Sequence, residues 1–190
     1  MRIVGGKWRS RRLTRPEEDT TRPMPDRVRE SIFNSLGSRF ETPGSLPPIR
    51  VLDLFAGSGS MGLEALSRGA AHCTFVERNR KVASILRQNI DALGAVDVAE
   101  VLLADAWRIA LDGPTGESPD IVFLDPPYRD STDDSAHGAV RRFLGRGGDG
   151  QRLVLLHHPV GTTFAPMEGD GWRIDSQRRF GSNMITMFLL

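Results

Sequence analysis

The sequence predicts an α/β fold, a mostly parallel sheet with helices on both faces, and two observations support it. From residue 50 onward, short apolar runs alternate with segments of helical periodicity, which is the pattern of repeated strand–helix–strand units. The chain has 190 residues, 39% of them hydrophobic and 26% charged, as expected for a globular protein with its own core. The single cysteine excludes a disulfide framework and a zinc site built from several cysteines.

Nothing in the sequence indicates a membrane protein. No apolar stretch approaches the roughly 20 residues of a membrane span. The start of the chain also lacks the apolar segment of a signal peptide. We therefore expect a soluble, cytoplasmic protein that does not act at a membrane.

The first 48 residues predict an extension ahead of a main domain at residues 49–190. Residues 1–13 fit a β-hairpin that turns at Gly5-Gly6, and residues 14–25, which include three prolines, fit a linker. A helix is expected from Asp26, because apolar residues then recur on one helical face.

Positive charge is concentrated in the predicted hairpin. Residues 1–15 contain six basic residues and no acidic one, although the net charge of the chain is only +1. This asymmetry favours a polyanionic partner over a solubilising tail. A hairpin of this size is marginally stable alone, so we expect it to stay mobile until it meets that partner. The candidate contacts to nucleic acid are Arg2, Lys7, Trp8, Arg9, Arg11 and Arg12.

The main domain predicts strands and helices in alternation. Strands are expected at residues 51–55, 73–76, 98–103, 121–124 and 153–156, with a closing pair at 172–176 and 184–190. Helices are expected at residues 60–68, 79–93 and 136–144, with a weak one at 106–111.

Acidic residues mark the carboxyl ends of four successive predicted strands. They are Asp53, Glu77, Asp105 and Asp125. Because ligands of open parallel sheets bind beyond the carboxyl ends of the strands, we expect these four acids to line a single crevice.

A glycine-rich loop follows the first of these strands. Residues 57–62, Gly-Ser-Gly-Ser-Met-Gly, satisfy the pattern G-x-G-x-x-G, and Glu77 lies twenty residues after Gly57. That spacing alone fits a dinucleotide site. The preceding Asp53 favours a cationic ligand with an amino group over a pyrophosphate, and S-adenosyl-L-methionine is such a ligand.

On that interpretation Glu77 accepts from the ribose hydroxyls, and Asp105 accepts from the adenine amine beside Ala106. The predicted cofactor-binding residues are Asp53, Phe55, Ala56, Gly57, Ser58, Gly59, Glu77, Asp105 and Ala106.

The segment Asp125-Pro126-Pro127-Tyr128 is the most specific motif in the chain. It follows an apolar strand, so it begins at the predicted crevice. Asp125 and the carbonyl of Pro126 can accept from a planar amino group and free its lone pair for methylation, while two prolines stiffen the segment. Tyr128 offers a face on which an extruded base can stack. We predict these four residues as catalytic.

The loop and the Asp-Pro-Pro-Tyr segment together resemble class I S-adenosylmethionine-dependent amino-methyltransferases that act on nucleic acid. Residues 2–9 (RIVGGKWR), 22–34 (RPxxDRVRExxFN) and 63–69 (LEALSRG) also resemble the bacterial RsmD family. The resemblance implies a Rossmann-like sheet with a hairpin extension and a catalytic domain at 49–190. It further implies methyl transfer to N2 of one guanine in 16S rRNA, within a 30S particle or an assembly intermediate, without a metal.

Other functions fit the same sequence less completely. A DNA adenine or cytosine amino-methyltransferase shares the Asp-Pro-Pro-Tyr chemistry, but 190 residues leave no large target-recognition insert. A nicotinamide dehydrogenase would leave Asp125 to Tyr128 unexplained. A non-catalytic RNA-binding assembly factor is the third alternative.

His157 and His158 end the fifth predicted strand, where the resembled family carries an acidic residue. A metal site is disfavoured because no third ligand lies at a suitable spacing. We interpret the two histidines as a polar strand end.

Overall fold

The computed structural model describes residues 1–16, 24–111, 118–133, 138–146 and 151–190. They belong to two compact units, residues 1–106 (unit 1) and residues 107–190 (unit 2). The sequence-based division into residues 1–48 and 49–190 has its boundary inside unit 1 and stays a prediction. Most of the predicted linker, residues 17–23, lies outside the described residues.

Unit 1 contains three parallel strands, β1 (Arg50–Leu54), β2 (His72–Val76) and β3 (Ala99–Leu102), in the order β3-β2-β1. Leu54 lies opposite Val76, and Val76 lies opposite Leu102, so the three strands end at one edge. Leu54 of β1 and Phe75 and Val76 of β2 are fully buried, whereas all four residues of β3 are half-buried.

The described part of unit 1 also contains three α-helices: α1 (Asp26–Arg39), α2 (Ser60–Ser67) and α3 (Arg80–Leu93). The start of α3 is fixed by Asn79, whose side chain accepts hydrogen bonds from the backbone of Lys81 and Val82. Its end is fixed by Gly94, whose φ of 65° is the left-handed conformation that glycine tolerates.

Unit 2 contains β4 (Ile121–Leu124), β5 (Leu153–Pro159), β6 (Arg173–Phe180) and β7 (Asn183–Leu189), in the order β4-β5-β7-β6. β4 and β5 are parallel, and β7 is antiparallel to both β5 and β6. Two short helices, α4 (Tyr128–Ser131) and α5 (Ala139–Leu144), lie between β4 and β5 in sequence. In the described part of the chain, the strands of unit 1 are parallel and those of unit 2 are mixed, and the predicted α/β fold is confirmed.

The N-terminal segment, residues 1–14, differs from the predicted hairpin. Its two expected strands reduce to one antiparallel bridge between Arg2 and Arg12, and the turn is a 3-10 helix at Gly6–Trp8. Ile3 and Leu13 are buried against unit 1. The prediction that this segment stays mobile is wrong, because it is already packed.

Long-range hydrogen bonds hold the N-terminal segment in place. The Val4 N–H donates to Glu64 Oε2 at 2.7 Å, and the Trp8 N–H donates to Ser67 Oγ at 3.0 Å, both on α2. Asn89 of α3 bonds both the N–H and the carbonyl of Thr14. These long-range bonds add to local pairing, in which the Ile3 N–H donates to the carbonyl of Arg11 and the Leu13 N–H to that of Met1.

None of the helices in the described part of the chain is both long and apolar enough to cross a membrane.

Candidate active site

The loop between β1 and α2, residues 55–59, has an unusual backbone conformation. Phe55, Gly57 and Gly59 have φ values of 62°, 56° and 87°. One hydrogen bond anchors the loop to β2, from the Ala56 N–H to the carbonyl of Val76 at 3.0 Å. A second closes a turn within the loop, from the Gly59 N–H to the carbonyl of Ala56 at 2.8 Å. A non-glycine residue with positive φ, as at Phe55, is uncommon and often marks a functional loop.

The two loop glycines face different surroundings. A Cβ on Gly59 would lie 2.4 Å from Leu86 Cδ1 and 3.0 Å from Leu63 Cδ1, so that position is filled by the core. A Cβ on Gly57 would meet nothing closer than the carbonyl oxygen of Phe55, at 4.0 Å. Gly59 therefore allows α2 to pack closely, whereas Gly57 leaves open space beside the loop backbone.

Glu77, directly after β2, connects the loop to the start of α3. Its Oε2 accepts from the Gly57 N–H at 3.1 Å, and its Oε1 accepts from the Asn79 N–H at 2.7 Å. Each carboxylate oxygen can accept more than one hydrogen bond. The half-buried side chain can thus fix the loop and still accept from the hydroxyls of a ligand.

Asp53 and Asp105 differ in exposure. The Asp53 side chain is buried, and its Oδ2 accepts from the Gly62 N–H of α2 at 2.9 Å. Asp53 therefore positions α2, and its predicted direct contact with an amino group stays a proposal. Asp105 is exposed beyond the end of β3, next to the buried Ala106.

In unit 2, Asp125 lies beside His157. Leu124 of β4 is opposite Leu156 of β5, so the residues that follow them come side by side. His157 Nδ1 and Asp125 Oδ1 are 2.8 Å apart. The Asp125 side chain is 43% exposed and the His157 side chain only 11%, so Asp125 keeps a surface open to a ligand.

Opposing effects act on the pKa of His157. Burial lowers it, but the hydrogen bond to Asp125, the charge of that carboxylate and a hydrogen bond with Asn183 together raise the pKa above its ordinary value of 6.5. The interpretation of His157 as a polar strand end thus missed a specific partner. The parallel pairing of the fourth and fifth strands is the signal that could have revealed it.

Tyr128 begins α4 and is 54% exposed, which is unusual for so large an apolar surface. Its hydroxyl donates to Asn183 Oδ1 at 3.2 Å, which fixes one end of the ring. Pro126 is buried, and Pro127 precedes the first helical residue. The segment is therefore stiff, with an exposed acid at one end and an exposed ring at the other.

The predicted contacts to nucleic acid are not all equally available. Arg2 pairs with Asp26 at 2.9 Å, and an Arg11 guanidinium nitrogen donates to the carbonyl of Ala92 at 2.7 Å. Lys7 Nζ lies 4.3 Å from the centre of the half-buried Trp8 ring. Among the exposed basic residues of the segment, Lys7, Arg9 and Arg12 are therefore the better candidates for contacts to nucleic acid.

A buried charge network, also missed by the sequence analysis, holds the N-terminal segment. Glu64 Oε1 lies 2.7 Å from Arg68 Nε, and Glu64 Oε2 lies 3.7 Å from Arg29 Nε. Arg29 also donates to the carbonyl of Arg2 at 2.6 Å and to Asp26 at 2.8 Å. The three sequence blocks at residues 2–9, 22–34 and 63–69 thus meet at one network.

Comparisons with known proteins show what this chain is similar to. The sequence model described as "Conserved hypothetical protein 95" matches residues 1–189. The Escherichia coli K12 protein named Ribosomal RNA small subunit methyltransferase D is 42% identical over 129 residues, which cover 68% of this chain and 61% of that protein. The chain thus spans about three fifths of that curated relative.

Solved structures share the fold. "Putative methyltransferase yhhF from Escherichia coli" is 33% identical, with a TM-score of 0.77 over 100% of this chain and 97% of that one. An RNA methyltransferase from Salinibacter ruber in complex with S-adenosyl-L-homocysteine is 15% identical, with a TM-score of 0.61 over 87% of this chain and 92% of that one.

Proposed function

The chain belongs to the RsmD family, whose sequence model is described as conserved hypothetical protein 95, and on that premise we propose that it methylates ribosomal RNA with S-adenosyl-L-methionine. The finer proposal is that the acceptor is the exocyclic N2 of one guanine in 16S rRNA, within a 30S particle or an assembly intermediate in the cytoplasm. The name of the Escherichia coli relative supports the small-subunit substrate.

One observation carries the proposal: Asp125-Pro126-Pro127-Tyr128 directly follows β4 with its acid and its ring both exposed. Asp125 and the carbonyl of Pro126 can accept from the two N–H groups of a planar amine, which turns the lone pair out of the base plane. Tyr128 can stack on the base, worth about 1–3 kcal/mol. Holding the reactants in line can remove roughly 7–11 kcal/mol of the barrier.

The residues of unit 1 fit S-adenosyl-L-methionine. Gly57 leaves room for a ligand against the loop backbone, Glu77 offers acceptors for ribose hydroxyls, and Asp105 is an exposed acceptor. The bound cofactor supplies an electrophilic methyl group on a sulfonium. Unit 1 then has only to hold that cation and its sugar, for which carboxylates that accept hydrogen bonds from hydroxyl groups are suited.

The test of the proposed function is mass-spectrometric mapping of methylated nucleotides after incubation with isotope-labelled cofactor. The substrates are 30S particles and 16S rRNA that lack the modification, with a DNA duplex as the comparison. A single N2-methylguanine in 16S rRNA is the expected result. Methylation of DNA alone would favour the DNA enzyme, and no transfer with tight RNA binding would favour an assembly factor. Thermal stabilisation by NAD but not by S-adenosylhomocysteine would favour a dehydrogenase.

The loop glycines offer a matched test of cofactor binding. Gly57→Ala should weaken S-adenosylhomocysteine binding about tenfold or more, because a methyl group enters the open space beside the loop. Its positive φ should cost about 1–2 kcal/mol of stability. Gly59→Ala should cost more, because strain of the same size adds to an overpacking penalty of about 1–3 kcal/mol. Calorimetry and urea unfolding of both variants measure the two effects.

An unchanged affinity in a folded Gly57→Ala variant would remove Gly57 from the proposed cofactor site. Equal stability of the two variants would instead contradict the close packing at Gly59.

The exposed arginines of the N-terminal segment test the RNA contact. Deleting residues 1–13 would remove the buried Ile3 and Leu13, so deletion changes stability together with charge. The double variant Arg9→Gln, Arg12→Gln should keep the melting temperature and weaken binding to a 16S rRNA transcript. The slope of log affinity against log salt should fall by about one for each lost phosphate contact.

The matched control is Arg173→Gln. Arg173 is exposed and is the first residue of β6, where it lies opposite Leu189, at the other end of the strand pair from Asn183. This variant should leave the slope as in the wild type. An unchanged slope in the double variant would contradict RNA binding by this segment.

A further inference from the structure

A chain of hydrogen bonds joins both ends of the Asp-Pro-Pro-Tyr segment to the strands beside it. His157 of β5 contacts Asp125 Oδ1 at 2.8 Å and is also hydrogen-bonded to Asn183, the first residue of β7. Asn183 Oδ1 in turn accepts from the Tyr128 hydroxyl at 3.2 Å. The acid and the aromatic ring are therefore held by one pair of neighbouring side chains.

We propose that His157 is a positioning residue for the proposed methyl transfer, which holds the Asp125 carboxylate in place and, by losing its proton, makes that carboxylate a stronger acceptor. The inference rests on the proposed function. It uses a residue that the sequence analysis interpreted only as a polar strand end.

The geometry explains why a tether is needed. Asp125 follows the last residue of β4, so its backbone is no longer held by strand pairing, and its side chain is 43% exposed. A carboxylate at such a place has several rotamers to sample. The contact through Oδ1 selects one of them and leaves Oδ2 available for an incoming amino group.

A positive charge on protonated His157 opposes the role proposed for Asp125. A methylated amine carries developing positive charge, which the carboxylate stabilises, and an imidazolium at 2.8 Å competes for the same negative charge. Neutral His157 can still donate from Nδ1–H, so deprotonation keeps the tether while removing the competing cation. The rate should therefore rise with pH through the titration of His157.

Asp125 is the charged group in contact with His157, and it accounts with Asn183 for the raised pKa. Burial and the charge of His157 lower the pKa of the neighbouring His158, although its bond to the Pro159 carbonyl raises it. On β6, Arg178 lies in the same cross-strand row as His157, beyond Ile185, and the other charged residues of that strand are Arg173, Asp175 and Arg179. On α4, Arg129 and Asp130 pair with each other.

The first experiment measures single-turnover methyl transfer from pH 5.5 to 9 in the wild type, His157→Gln and His157→Ala. The wild-type rate should rise about tenfold, with a midpoint above 6.5, the ordinary pKa of histidine. Glutamine can donate a hydrogen bond but does not titrate, so His157→Gln should be flat near the wild-type high-pH rate. His157→Ala should be slow at every pH, with KM for RNA changed less than kcat.

The second experiment needs no activity. Nuclear magnetic resonance titration of the histidine rings should give a raised pKa for His157 in the wild type, which falls towards 6.5 in Asp125→Asn. An unshifted His157, or one insensitive to Asp125→Asn, would overturn the pairing. A single-turnover rate that still rises with pH in His157→Gln would overturn the positioning role.

The two proposals fail in different ways. If the wild type transfers no methyl group to RNA, the proposed function is wrong and the catalytic part of this inference falls with it, while the titration still reports on the pair. If the wild type is active and the rise of its rate with pH comes from another group, only the inference on His157 is wrong.

Discussion

Replacing Asp125 with alanine should lower the single-turnover rate of methyl transfer by about 10²–10⁴-fold, the range for loss of a group that orients and stabilises reacting atoms. The side chain is exposed directly after β4, where it can accept from an amine. Cofactor affinity should change little, because the proposed cofactor residues all belong to unit 1 and Asp125 belongs to unit 2. Rapid-quench measurement of methyl transfer, with calorimetry of S-adenosylhomocysteine binding, separates the two effects.

Asp125→Asn keeps one carbonyl oxygen and should therefore lose less rate than the alanine variant. The matched control is Asp97→Asn, the same substitution at an exposed site in the 3-10 turn Val96–Val98, which should leave the rate unchanged. A near-normal rate in Asp125→Ala would mean that another group orients the amine.

Replacing Glu64 with alanine should destabilise the protein by about 3–5 kcal/mol, the cost of breaking a buried ion pair from one side. The Glu64 side chain is fully buried and lies between the guanidinium groups of Arg29 and Arg68. It also accepts from the Val4 N–H. The substitution would leave two buried cations and one part-buried N–H without this partner.

Urea unfolding followed by circular dichroism measures the loss. The control is Glu30→Ala, on the exposed face of α1, where a surface substitution should stay within about 0.5 kcal/mol. Equal midpoints for Glu64→Ala and the wild type would mean that the network adds nothing to stability.

Elements fixed by local signals were predicted closely. The helix expected at residues 79–93 is observed at Arg80–Leu93, because an amphipathic stripe, the Asn79 cap and Gly94 all lie within it. The strand expected at residues 121–124 is observed at Ile121–Leu124, because its four apolar side chains are all buried. The positions of the acids after β2, β3 and β4 were predicted for the same reason, since each acid directly follows an apolar run.

Features fixed by distant partners were predicted poorly. The N-terminal segment bonds to Glu64 and Asn89, which are 60 and 75 residues away from their partners, so its own sequence resembled an isolated hairpin. His157 contacts an acid 32 residues away, and its role depends on the register of β4 and β5. Asp53 was expected at the mouth of a site, which stays a prediction, and its hydrogen bond from the Gly62 N–H of α2 was not foreseen.

The long reach of the N-terminal segment also has a consequence for protein synthesis. Its partners on α2 and α3 leave the ribosome only after about 60 to 75 further residues have been translated, which takes on the order of 3–15 s at ordinary rates. Throughout that interval Ile3 and Leu13 have no completed core to enter, and Arg11 has no Ala92 carbonyl to which it can donate. The nascent chain therefore exposes two apolar side chains, set among basic residues, that the finished protein buries.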